Sequence, residues 1–142
     1  MEQSEINSDL PVLVLDGARF SDLQGFYDEV SNQLIPGASW GRNLDAFNDI
    51  LRGGFGTPDD GFQLRWVNSA LSRKRLGWDA TIGFVERKLT TCHPQNVPHV
   101  EADLAAAHRH EGETLFDLIV DIIRRHGSGG SEADDNVTLV LE

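Results

Sequence analysis

A chain of 142 residues with a single cysteine, Cys92, has no intramolecular disulfide, which fits a reducing compartment and leaves the fold to its apolar core. Positive charge is scarce as well. Twelve Lys and Arg stand against 23 Asp and Glu, for a net charge of -11 at pH 7. Such a chain repels polyanions at long range, so DNA and RNA are not expected as direct ligands, and it draws in basic partners. No apolar run approaches the roughly 20 residues of a membrane span. Met1 to Glu5 is acidic and lacks the basic start and apolar core of a signal peptide, so the chain is expected in the cytoplasm, away from membranes.

The usual signatures of chemistry are missing too. Neither a CxxC pair nor an HExxH pattern accompanies Cys92, His93, His99, His108 and His110, and His108 and His110 point apart on a helix, so no metal is expected. A lone cysteine beside His93 or His99 is normally a small buried hydrophobe rather than a tuned nucleophile, and no G-x-S-x-G elbow occurs. Gly53-Gly54-Phe55-Gly56 follows a helix and precedes a strand, the reverse of a phosphate-binding loop, and Gly127-Ser128-Gly129-Gly130 has the same defect. The reading is therefore of a protein that is not an enzyme and needs no cofactor.

What remains is an alternation of strand and helix patterns. Val12-Leu13-Val14-Leu15, closed by Asp16-Gly17, reads as a strand buried on both faces. Ser21-Asp22-Leu23 opens a helix whose apolar positions run through Leu34 to Pro36-Gly37, and Asn43 caps a second helix that Gly53-Gly54 stops. Phe62 to Val67 is a second strand, after which Asn68 or Ser69 can cap a largely helical stretch over 69–92 that His93-Pro94 breaks. Residues 98–110 are again helical. Glu113-Thr114 opens a helix with Leu115, Phe116, Ile119, Val120, Ile122 and Ile123 as its stripe, and Val137 to Leu141 is a third strand. These elements predict one α/β domain over 1–142, a small three-stranded parallel sheet flanked by helices, with 69–111 as an additional helical segment.

Charge is unevenly spread over that plan. Residues 1–30 hold seven acids and one base, and residues 93–142 hold ten acids and three bases, whereas residues 68–92 carry Arg73, Lys74, Arg75, Arg87 and Lys88 against Asp79 and Glu86. On the second helix, Leu44, Phe47, Ile50 and Leu51 form the buried stripe. Asp45, Asn48, Asp49 and Arg52 follow the i, i+3, i+4, i+7 rule on the other side, where the carboxylates can accept charge-assisted hydrogen bonds from a partner's arginines. Acids in a first turn and a polar outer face are also what any surface helix shows, so the pattern alone leaves both readings open.

The stretch Trp40-Gly41-Arg42-Asn43-Leu44-Asp45-Ala46-Phe47-Asn48-Asp49 resembles the signature of the barstar family, intracellular inhibitors of barnase-type ribonucleases. The opening strand, the Ser21-Asp22-Leu23 helix start and the closing strand have counterparts in the same order. The resemblance implies a barstar-like fold and a carboxylate plug for a nuclease site that collects cations to hold phosphate. It implies that Asp49 is the principal phosphate mimic, Asp45 the second carboxylate, Trp40 an exposed ring that packs against the partner from the loop before the helix, Asn43 the cap and shaper of that loop, and Gly53 a point of close approach. Asn48 and Arg52 depart from the best-known pattern, and an arginine among phosphate-mimicking acids repels a basic site unless it pairs with Asp45, Asp49 or a carboxylate on the target. The family's acid on the last helix aligns with Ile122, with Asp121 beside it. The expected function is thus an immunity protein that inhibits a basic nuclease, RNase or DNase. The alternative is a non-enzymatic adaptor of the same fold that grips a different partner, for instance through residues 73–75.

Overall fold

The computed structural model describes residues 10–142. Three strands, β1 (Val12–Asp16), β2 (Phe62–Val67) and β3 (Val137–Leu141), form one parallel sheet in the order β1-β2-β3. Six helices connect them: α1 (Leu23–Gln33) and α2 (Leu44–Arg52) between β1 and β2, then α3 (Ser69–Arg75), α4 (Trp78–Thr91), α5 (Val97–His108) and α6 (Leu115–Arg124) between β2 and β3. The predicted α/β class with a small parallel sheet is what the chain forms.

Register explains where the core sits. Leu13, Leu64 and Leu139 are level across the sheet, as are Leu15, Trp66 and Leu141, and these rows face the helices. The intervening rows, Val12-Gln63-Thr138 and Val14-Arg65-Val140, face outward. Val12 is 50% exposed and Val14 37%. The expectation that β1 is buried on both faces is therefore corrected: helices cover one face, and an unbroken apolar run sits in an edge strand with its other face open.

Trp66, fully buried on the central strand, anchors the core. Its ring stacks on Phe26 of α1 at 5.6 Å, meets Phe116 of α6 at 5.1 Å, and its Nε1–H donates to Ser72 Oγ at 3.0 Å. The α6 stripe lies on the same core, and Thr114 and Asp117 close a capping box at its start. Two local readings change. The stretch 69–92 is two helices, because the chain turns at Leu76 and Gly77, whose carbonyl oxygen accepts from the Thr81 hydroxyl at 2.7 Å. Neither Asn68 nor Ser69 caps α3 with its side chain; Asn68 Nδ2 donates to Asp16 Oδ1, and the Ser69 hydroxyl donates to the Glu142 carbonyl.

Candidate functional site

Helix α2 is held from three sides. Its buried stripe of Phe47, Ile50 and Leu51 is pressed into the core, with Phe47 edge-on to Phe26 at 5.2 Å. At its start Asn43 Oδ1 accepts the Ala46 N–H at 2.7 Å, as predicted for the cap. At its end Gly53 takes φ +110°, ψ 178°, a conformation that essentially only glycine adopts, with open space where a Cβ would be. The backbone thus requires glycine at 53, and the surface beside it is unobstructed.

The loop before α2 is folded onto α1. Trp40 is half-buried, not an open ring: Nε1–H donates to Ser31 Oγ at 2.8 Å and the indole stands edge-on to Tyr27 at 5.5 Å. Arg42, in the left-handed region at φ +52°, reaches back to Asp28. This loop is a braced ledge from which Asn43 launches the helix.

On the outer face the four residues of the predicted stripe separate into two groups. Asp45 and Asp49 are exposed. Asp49 Oδ1 accepts from Arg52 Nη1 at 2.7 Å, and Arg52 also grips Glu132, through Nε to Oε1 at 2.5 Å and Nη2 to Oε2 at 3.2 Å. The Glu132 hydrogen bond, aided by the charges of Glu132 and Asp49, raises the Arg52 pKa, and the same hydrogen bond holds the Glu132 carboxyl below its usual range. The arginine that sequence places among the acids is therefore neutralised from within, and the cluster of Asp49, Arg52 and Glu132 keeps one net negative charge.

Asn48 turns inward, against the expectation that it shares the exposed stripe. Its Oδ1 lies 2.6 Å from Nε2 of His126, whose side chain is 0% exposed and whose Nδ1 lies 2.6 Å from Asp135 Oδ2. His126, Glu132 and Asp135 bring ligand-type atoms within 4.8 Å of one another. That group already has its partners: Arg52 supplies the positive charge at Glu132, and each imidazole nitrogen faces an oxygen. It acts as a polar clamp, centred on the buried His126, between α2 and the turn before β3. Neither His126 nor Glu132 was singled out from sequence, because the contacts span 78 and 80 residues and leave no local spacing to detect.

The other candidates lie elsewhere. Asp121 stands on α6 facing Glu113, whose pKa it raises, and it lines a shallow concavity with Arg124, Arg125 and Gly129 that neither Asp45 nor Asp49 lines. Of the basic residues 73–75, Arg73 lies over the Phe116 ring at 4.6 Å and near Asp117, and Arg75 donates to the Phe20 carbonyl at 3.0 Å. Two of these three cations are thus engaged within the fold. The Cys92 thiol points to the Leu89 carbonyl, and His93 Nδ1 accepts the Gln95 N–H at 3.1 Å, so the pair is not set up for nucleophilic attack.

A family model described as Barstar (barnase inhibitor) matches residues 10–87, more than half of the 142-residue chain. The match takes in β1, α1, the braced loop, the whole of α2 and β2, and ends inside α4. No curated protein matches the chain. None of the described helices is long and apolar enough to cross a membrane.

Proposed function

The chain belongs to the barstar family, and on that premise we propose that it inhibits a basic nuclease, with a barnase-like ribonuclease as the foremost target class, by seating the outer face of α2 in the enzyme's anion-binding site. The observation that carries this reading is the exposed carboxylate pair of Asp45 and Asp49 on a helix that is capped at its start, pressed into the core and clamped through Asn48. A nuclease site holds phosphate with arginine, lysine and histidine side chains, so a carboxylate set on a rigid helix meets them with charge-assisted hydrogen bonds and little ordering cost. Asp45 has no ion-pair partner among the described residues. Asp49 shares Arg52 with Glu132, and the two-point grip of Glu132 on Arg52 lets Asp49 exchange that contact for a partner's cation without stranding the arginine.

The test is inhibition and binding measured on a panel of barnase-like ribonucleases, with the tightest-bound enzyme carried forward. Asp49→Ala is expected to weaken binding to it by more than about thirtyfold, which corresponds to about 2 kcal/mol. An Asp49→Ala protein that binds and inhibits as tightly as the wild type would overturn the assignment.

A further inference from the structure

Beside the acidic face of α2 lies a groove of about 600 Å³ walled by α1, α2, α4 and α6. Its sides differ in character. Leu44, Phe84, Leu118 and Ile122 give it an apolar floor, Asp45 stands on the α2 side, and Arg87 and Lys88 of α4 with Arg125, just past α6, stand on the other. We propose that this groove is a second protein-docking surface, which takes a segment carrying an apolar side chain flanked by carboxylates.

Charge makes the case first. Arg42, Arg52, Arg65, Arg73 and Arg109 each find a carboxylate of the chain itself. Arg87, Lys88 and Arg125, like Lys74, Arg75 and Arg124, have no carboxylate at ion-pair distance among the described residues, although acids outnumber bases almost two to one, 23 to 12, and of these six it is Arg87, Lys88 and Arg125 that line the groove. Three such cations around one groove give it local complementarity for an acid, and the opposite of what a uniformly basic partner would fit. The floor makes the case against a simple anion. Free phosphate gains nothing from Phe84, Leu118 and Ile122, whereas an apolar side chain does. The two helix starts that line the groove, those of α1 and α2, have their Gly25 and Ala46 N–H groups already taken by the caps Asp22 and Asn43, so neither offers the open backbone cradle of a phosphate site. Tyr27, whose pKa burial pushes up to about 12, stays neutral in the wall and adds no competing negative charge.

The test uses the full chain, 15N-labelled, and an end-blocked hexapeptide alternating glutamate and leucine. Expected are saturable shifts at the amides of Phe84, Lys88 and Ile122, with an apparent Kd that rises at least tenfold in an Arg87→Glu/Lys88→Glu protein and several-fold in the milder Arg125→Gln protein. All three positions are exposed, so these substitutions leave the fold intact. Asp49→Ala should bind the hexapeptide as the wild type does, which keeps this outcome separate from that of nuclease inhibition. The proposal is overturned if the peptide fails to saturate, if a lysine-leucine counterpart binds equally well, or if both charge variants bind like the wild type. It is also overturned if inorganic phosphate alone reproduces and competes for the shifts, or if shifts at these residues come from self-association on dilution.

Discussion

A buried imidazole is tolerable only when its nitrogens find partners, and His126 finds them on two separate elements, Asn48 of α2 and Asp135 in the turn before β3. Removing one partner leaves a desolvated polar atom. Asn48→Ala is accordingly expected to destabilise the fold by about 1–3 kcal/mol, the usual cost of orphaning a buried group. Asp45→Ala, three residues away and exposed, should change stability by less than about 1 kcal/mol, since only its place in the first helical turn is lost. Urea unfolding of the two proteins checks the contrast. Equal losses would mean that Asn48 is not part of a clamp on the buried His126.

At the scale of the element, α2 is short, and its order rests on its ends as well as its apolar stripe. Asn43→Ala should cost about 1 kcal/mol, measured by the same unfolding experiment, and should weaken partner binding in parallel by loosening the helix that carries Asp45 and Asp49. This helix was legible in the sequence: cap, stripe, glycine stop and two outward acids all follow from spacing within fifteen residues, 39–53. The three-strand parallel plan was legible for the same reason, as the three strands and the helices between them announce themselves locally. What was not legible is what distant residues decide. The apolar run in β1 reads as doubly buried, yet its pairing at the sheet edge leaves Val12 and Val14 open. Asn48 reads as an outward residue until His126 draws it in, and Arg52 reads as an obstacle until Glu132 answers it. Trp40 reads as a free ring until Ser31 and Tyr27 hold it. In each case the deciding partner lies on another element, where a period of 3.6 or 2 carries no information.

Across the whole molecule, charge governs both encounter and acid tolerance. A net charge of -11 steers a basic partner, so the association rate constant with a basic ribonuclease should fall steeply as salt is raised toward about 150 mM, where the Debye length is about 8 Å. A salt-independent rate in stopped-flow measurements would exclude steering. Acid acts through Glu132. Because Arg52 holds its carboxyl below the ordinary 4.5, Glu132 stabilises the folded state above that value, and the contribution fades as pH falls through its lower folded value. Glu132→Gln should therefore be less stable than the wild type at neutral pH and converge with it under acid, as thermal melts along a pH series would show.

The clamp at Asn48 also has an evolutionary consequence. It assigns the stability of α2 to inward positions and leaves 45 and 49 nearly free of folding duty, so substitutions that re-aim the outer face do not push the protein toward its stability threshold. A lineage built on this scaffold can follow a changing adversary by altering the face it presents, while the mount beneath stays as it is.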